Sequence, residues 1–255
     1  MIVDINKKVL KQLAIDYDIS FYKIERNGAE FKEYEEANKN AKEKRNIFSR
    51  SNFLSVLCLE NKIVFNGNSE IILWCKKNYT EYPVEWFMNY QNLNLLNNEI
   101  NRYGYRISRY SHHYYIPSSI KKSVSMKYKM AWISPDILGN IQKEKIFPNA
   151  LFGNIYRADQ YCIVCYDGDE IISIVSATKN GKYMWELAVD TKEKYRNQGI
   201  ATQLVIRMTN YMINRGFVTF YGTSESNIAS QNVALNAGYR PFWAEVYTEK
   251  NHFFK

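Results

Sequence analysis

Long apolar runs are missing from this sequence, and so is a segment typical of a secretion signal. No stretch of eighteen or more apolar residues occurs in the 255-residue chain, which excludes a conventional membrane-spanning helix. The first residues, Met1 to Asp4, lack the basic and apolar segments of a signal peptide. We therefore expect a cytoplasmic protein that has no membrane as a partner.

Cysteine is also scarce, with four residues in the whole chain. That number is too small and too scattered for a disulfide framework, so reduced thiols are expected. Cys162 and Cys165 have the spacing of a metal-binding pair, but they lie in an apolar run that is typical of a strand. Residues three apart in a strand face opposite sides. We therefore predict no metal site.

The composition is that of a folded globular protein, with 46% hydrophobic and 24% charged residues. The formal net charge of +8 suits a polyanionic or phosphate-bearing partner. No nucleic-acid-binding motif accompanies this charge. A nucleic acid is therefore not an expected partner.

A cluster of chain-breaking residues, Pro117-Ser118-Ser119, precedes a basic linker and predicts a domain boundary near residue 120. The first domain would then cover residues 1–120 and the second residues 121–255. In the first domain, apolar runs over 53–59 and 63–65 predict a β-hairpin followed by helices. Residues 29–46 are rich in Glu, Lys and Ala and predict a solvated helix or a mobile arm.

The second half has a regular order of strands and helices. Strands are predicted over 160–166, 171–178, 183–189, 217–222 and 240–247, and helices over 197–214 and 227–237. The first three strands follow one another directly and should pair antiparallel. The predicted fold class is α/β (α+β), a mixed and largely antiparallel sheet flanked by helices, preceded by a smaller α/β domain.

The connection between the third of these strands and the long helix has a composition suited to phosphate. The N–H groups exposed at a helix N-terminus, together with the helix dipole, attract anions. Gly199 and Ala201 would let the backbone approach a ligand closely, and Thr202 could add a hydroxyl contact. The segment has neither a Walker lysine nor a dinucleotide-binding glycine pattern. The segment therefore predicts a diphosphate site that differs from both the Walker and the dinucleotide-binding types.

The segment Arg196-Asn197-Gln198-Gly199-Ile200-Ala201, directly after a hydrophobic strand, resembles the cofactor motif Gln/Arg-x-x-Gly-x-Gly/Ala of the GCN5-related N-acetyltransferase (GNAT) family. Two later segments also resemble the family, namely the helix start Ser226-Asn227-Ile228-Ala229-Ser230 and the step Ala237-Gly238-Tyr239. Together they extend the resemblance over residues 125–250.

The resemblance implies that acetyl-coenzyme A (acetyl-CoA) is the acyl donor. In the family, the strand before the loop splays at a bulge, and its backbone groups bind the pantetheine arm and polarise the thioester carbonyl. An asparagine at the next helix start helps to hold the cofactor near its reactive end. Carried over by motif, together with Thr202 and the neighbouring Ser230, the expected cofactor-binding residues are Leu187, Ala188, Val189, Arg196, Asn197, Gln198, Gly199, Ile200, Ala201, Thr202, Asn227 and Ser230.

The family transfers the acetyl group by direct attack of a neutral amine in a ternary complex, so a base must remove a proton. Glu186 and Tyr183 are the candidate catalytic residues, with Glu225 as a further alternative for the base. Tyr183 falls on the face that points toward substrate in some relatives, whereas Glu186 alternates to the other face. In many members, a tyrosine seven residues after the asparagine acts as the acid that protonates the departing thiolate. This chain has Ala234 at that position.

We therefore expect an N-acetyltransferase that acts on a primary amine of a small molecule. The alternatives are a protein N-terminus or lysine as the acceptor, and an acyl-CoA sensor without turnover. Residues 101–106 echo residues 236–240 as a helix end, a glycine and an aromatic residue, so the first domain would be either a degenerate acyltransferase-like half or an unrelated cap. By analogy, such a domain walls the acceptor site or mediates association, for example as a homodimer.

Overall fold

The computed structural model describes residues 4–34, 41–46, 53–108, 112–133, 138–139, 141, 146–151 and 160–251. The chain divides into two compact units. Unit 1 consists of Met1–Lys8 and Tyr115–Pro241, and unit 2 of Val9–Tyr114 and Phe242–Lys255. The predicted boundary near residue 120 stays a prediction, because a compact unit is not by itself an independently folding domain.

Unit 2 contains a sheet in the order β1-β3-β2-β11, with β4 paired to β11. The chain division runs through α1, β5 and β11, so each of these elements contributes to both units. The elements that lie in unit 2 wholly or in part are α1 (Ile5–Asp16), α2 (Phe21–Ile24), β1 (Gly28–Glu33), β2 (Leu54–Leu59), β3 (Lys62–Gly67), α3 (Ser69–Tyr79), α4 (Tyr90–Asn101), β4 (Tyr105–Ile107), β5 (His112–Pro117) and β11 (Tyr239–Lys250).

The predicted hairpin is confirmed as the antiparallel pair β2 and β3. The prediction of a solvated helix or arm over residues 29–46 is wrong for the strand residues 29–33 and for the buried Lys44 and Arg45, whereas Ala41–Glu43 forms a short 3-10 helix. Residues 29–33 lie in β1, which pairs in parallel with β3, and Phe31 stacks on Phe65 with ring centroids 5.1 Å apart. Residues 35–40 lie outside the described residues. Pairing with a neighbouring strand overrides the local preference of a polar segment.

A group of buried charges lies in unit 2. Arg45 is 1% exposed, and the carboxylates of Asp16 and Glu245 are completely buried. Asp16 accepts hydrogen bonds from the backbone N–H (2.9 Å) and Nε of Arg45, and Glu245 accepts bonds from both Nη atoms. The hydroxyls of Tyr17 and Tyr247 also donate to Glu245. Each charge is thus paired and hydrogen-bonded, as burial requires.

Unit 1 is built on the strand order β5-β10-β9-β8-β7-β6. The strands β7, β8 and β9 pair antiparallel in sequence order, as predicted, and β6 adds to β7 in the same way. By contrast, β9 and β10 pair in parallel because a helix connects them. The predicted fold class, a mixed sheet flanked by helices, is confirmed. The elements of this sheet and its helices are β6 (Lys129–Ile133), β7 (Gln160–Asp167), β8 (Glu170–Lys179), β9 (Met184–Thr191), α5 (Ile200–Asn214), β10 (Val218–Thr223) and α6 (Ile228–Asn236).

Both faces of this sheet are covered. One face packs against α5 and α6 through Trp185, Leu187 and Leu204. The other face packs against Leu138, Ile141, Phe147, Ala150 and Leu151. Cys165 belongs to the first cluster and Cys162 to the second, which confirms that the two thiols face opposite sides. Burial raises the pKa of Cys162 to about 12. These thiols are therefore core residues.

The described helices are all too short or too polar to span a bilayer. Within the described ranges, no three His, Cys, Asp or Glu side chains come together as a metal-binding group. The sequence echo is visible in the backbone: α4 and α6 each end ahead of a left-handed glycine, with φ of +77° at Gly104 and +89° at Gly238, and a strand follows each.

Candidate functional site

The strands β9 and β10 separate at one end. Their parallel pairing runs from Met184–Val218 to Leu187–Tyr221, and both strands continue beyond that pair. The β8–β9 pairing has no register shift as far as Thr191. The expected splay is therefore present, but it arises where the β9–β10 pairing ends and not from a bulge in β9. The β9 edge from Ala188 onward faces this opening, which we call the β9–β10 gap.

The loop that follows β9 has an unusual backbone. Asn197 and Gly199 have φ angles of +60° and +75°, in the left-handed region, and α5 begins at Ile200 with Gly199 as its N-cap residue. The helix predicted over 197–214 therefore starts three residues later than expected, because left-handed residues cannot continue a right-handed helix. Glycine accommodates this conformation without the steric cost of a Cβ atom.

The loop offers several unpartnered donors. Within the described part of the chain, the backbone N–H groups of residues 198–202 have no hydrogen-bond acceptor. Apart from its two chain neighbours, no described residue has an atom within 4 Å of a Cβ atom placed on Gly199. The space above the glycine is thus open while the amides of the first helical turn converge on it, an arrangement that suits phosphate oxygens. The diphosphate moiety of coenzyme A fits this turn.

Side-chain hydrogen bonds hold the loop between β9 and α5 in place. Gln198 accepts a hydrogen bond from the Tyr128 hydroxyl at 2.9 Å, and the Tyr195 hydroxyl donates to Asp167 at 2.9 Å. Lys194 and Lys192 both bind Glu170, and their hydrogen bonds hold the pKa of that carboxyl at about 2.

Arg196 differs from these lysines. Its Nε donates to the backbone oxygen of Thr191 at 3.3 Å, and the contact is exposed to solvent. Among the described residues, no carboxylate lies within ion-pair distance of it. Its guanidinium is thus available to an anion bound at the start of α5.

Asn227 and Ser230 lie at the start of α6, as expected, but both make contacts within the protein. The Asn227 Oδ1 caps the helix by accepting from the Ser230 N–H at 3.1 Å. The Ser230 hydroxyl lies 2.9 Å from the hydroxyl of Tyr221. Tyr221 belongs to the last β9–β10 pair, so this contact lies beside the gap.

The two candidate catalytic residues lie at different distances from the gap. Glu186 is one row before the last β9–β10 pair, half-buried, and its Oε2 accepts from Asn180 Nδ2 at 2.9 Å. Tyr183 precedes the first residue of β9, at the opposite end of the strand. At about 3.3 Å per residue, four residues along the strand separate Tyr183 from Leu187 by roughly 13 Å. Glu186 is therefore the nearer of the two to the gap.

No acid replaces the absent tyrosine at the expected place. Ala234 is completely buried in the core of unit 1. The Tyr239 hydroxyl is held between Thr209 and Thr219, and burial raises the pKa of Tyr239 well above its ordinary value. This tyrosine is a core residue.

Sequence reasoning missed two residues near the site. The Asp190 carboxylate accepts from the backbone N–H groups of Asn149 (2.7 Å) and Ala150 (2.8 Å), so it holds this segment against the sheet. Asp190 was visible as an acid at a strand end, but its partners are forty residues away. Thr223, the last residue of β10, gave no sequence signal.

A parallel strand pair that opens beside a phosphate-suited helix start is an arrangement that can bind a phosphate-bearing cofactor. The chain belongs to the GNAT acetyltransferase family, whose model matches residues 52–243. The match covers most of the chain and begins well before residue 125, where the resemblance in the motifs started. The separate N-terminal domain, the homodimer and the cytoplasmic location stay predictions.

Several solved structures are similar to the chain. An acetyltransferase from the GNAT family of Colwellia psychrerythraea is 15% identical, with a TM-score of 0.45 over 57% of this chain and 57% of that one. A GCN5-related N-acetyltransferase-like protein from Streptococcus suis is 16% identical, with a TM-score of 0.46 over 76% and 83%. A tandem GNAT protein from the clavulanic acid biosynthesis pathway is 13% identical, with a TM-score of 0.45 over 59% and 57%. No curated protein matches the chain.

Proposed function

We propose that this acyltransferase transfers the acetyl group of acetyl-CoA to the primary amine of a small molecule. The observation that carries the proposal is the start of α5, where the N–H groups of residues 198–202 have no acceptor among the described residues and none of these residues fills the space above Gly199. Acetyl-CoA supplies an activated thioester when bound. Its diphosphate would receive hydrogen bonds from these amides, and Arg196 would add a positive charge.

The residues along the gap suit the rest of the reaction. The free β9 edge at Ala188 and Val189 provides backbone groups for the pantetheine arm, and an N–H aimed at the thioester oxygen would stabilise the charge that develops there. The amine forms a C–N bond to the acetyl carbon as the C–S bond breaks. Glu186 is the proposed proton acceptor for the amine, and the departing thiolate takes a proton from water.

Thiol release by the purified full chain tests this function. With acetyl-CoA present, we expect release only when an amine is added, and a panel of small amines, peptides with free N-termini and lysine peptides should identify the acceptor. Glu186→Gln should lower the rate by about 100-fold while leaving acetyl-CoA affinity unchanged. The measurements are a thiol-reactive dye for turnover and titration calorimetry for affinity.

The alternatives give different results in the same assay. Thiol release with peptides alone would identify a protein acetyltransferase. Binding of acetyl-CoA without amine-dependent release would favour the sensor, a role compatible with the buried alanine at position 234. Absence of acetyl-CoA binding would overturn the proposal.

Arg196→Ala should weaken acetyl-CoA binding by about tenfold, because it removes an exposed cation beside the loop. Lys194→Ala is the matched control, since its ammonium is already bound to Glu170 at 2.9 Å. The Arg196 variant should also show a smaller dependence of affinity on salt. Equal losses in both variants would mean that Arg196 has no specific role.

A further inference from the structure

Thr223 lies at the end of β10, two residues beyond the last β9–β10 pair. Continuing the register would place it opposite Val189, so it borders the β9–β10 gap. The residue is 5% exposed, and its buried hydroxyl has no hydrogen-bond partner in the described part of the chain. A buried hydroxyl without a partner destabilises a protein, so its retention calls for an explanation.

The other hydroxyls on this side of β10 have partners. Thr219 and Tyr221 share a face with Thr223, because alternate strand residues point the same way. The Thr219 hydroxyl lies 2.6 Å from that of Tyr239, and the Tyr221 hydroxyl lies 2.9 Å from that of Ser230. Thr223 is the one exception in this row, and it is the member that lies past the paired strands.

We propose that Thr223 positions the acyl donor by hydrogen bonding to an amide of the pantetheine arm in the β9–β10 gap. The proposal rests on the proposed function. The pantetheine arm is an extended chain with two secondary amides, and it resembles a strand in its need for donors and acceptors along its length. A rotation about χ1 of Thr223 would turn the hydroxyl toward the gap without breaking a bond to the described residues.

Two variants separate a ligand contact from a structural role. Thr223→Val removes the hydroxyl with little change in shape, and Thr223→Ser retains it. Calorimetry should compare acetyl-CoA with adenosine 3′,5′-bisphosphate, which lacks the pantetheine arm. We expect Thr223→Val to weaken acetyl-CoA binding roughly 3- to 10-fold, to leave the affinity for the bisphosphate unchanged, and to raise or preserve the unfolding temperature without ligand. Thr223→Ser should bind acetyl-CoA like the original protein.

Thr219→Val is the matched control on the same face. Because its hydroxyl contacts Tyr239, this variant should unfold at a lower temperature and show no selective loss for acetyl-CoA. Unchanged acetyl-CoA affinity in Thr223→Val, an equal loss for both ligands, or a lower unfolding temperature would overturn the role of Thr223 while leaving the proposed function intact. If the original protein bound neither ligand, both proposals would fail.

Discussion

Gly199→Trp is expected to weaken acetyl-CoA binding by about 100-fold or more while the protein stays folded. The indole would occupy the open space above residue 199, to which the amides of the first α5 turn point. Loss of the diphosphate contacts accounts for about 3 kcal/mol or more. The left-handed φ of +75° adds a local cost of roughly 1–2 kcal/mol to folding. Calorimetry measures the affinity, and thermal unfolding measures the cost.

Gly104→Trp is the matched control for this variant. Gly104 has a φ of +77°, and a Cβ atom there would also meet no protein atom within 4 Å. It should therefore lose a similar amount of stability and bind acetyl-CoA normally. If both variants kept full affinity, the start of α5 would not be the diphosphate site.

Arg45→Met is expected to lower the free energy of unfolding by about 3–5 kcal/mol, because it leaves buried carboxylates without their cation. Asp16 and Glu245 are completely buried, and Arg45 hydrogen-bonds to both. Chemical denaturation followed by circular dichroism measures the change. Lys23→Met is the control, because its partner Glu30 and the lysine itself both reach solvent, and exposed pairs contribute at most about 1 kcal/mol.

The loss in Arg45→Met should depend on pH. In the original protein, burial raises the pKa of Asp16, although the Arg45 guanidinium acts to lower it. Removing the guanidinium raises that pKa further, so the folded variant holds a proton that the unfolded chain releases above a pKa of about 3.9. The stability of the variant then falls as the pH rises from about 3.9, the pKa in the unfolded chain, to the raised pKa of Asp16 in the folded protein. A variant as stable at pH 8 as at pH 5 would contradict this account.

The sequence predicted where the loop of the candidate site lies in the chain, but it did not predict the backbone conformation of that loop. Gly199 and the helix after it follow from local rules, since a glycine, a strand before it and a periodic apolar face lie within thirty residues. The left-handed Asn197, which delays the helix start, has no comparable signal. Among the described residues the hydroxyl of Thr223 has no partner, and it lies beyond the last β9–β10 pair, a long-range feature that a local pattern cannot reveal.

Long-range pairing also explains the errors in the first half. The segment around Arg45 resembles solvated chain because its neighbours are Glu, Lys and Asn. Its buried partner Glu245 lies 200 residues away. Burial of the guanidinium is tolerable because Asp16 and this distant carboxylate both pair with it, whereas composition alone predicted exposure.

Unit 2 is built from two stretches of chain that are far apart in the sequence, and this affects how the chain folds during synthesis. Its strand β2 pairs with β11, and Arg45 meets Glu245 only after 200 further residues are made. At about 5–20 residues per second, that interval is roughly 10–40 s. Throughout it, the nascent chain carries Arg45 without Glu245 and β2 without β11, so that the edge of β2 is open to wrong partners. Chaperones that protect emerging chains should matter more for this half than for the one bearing the loop.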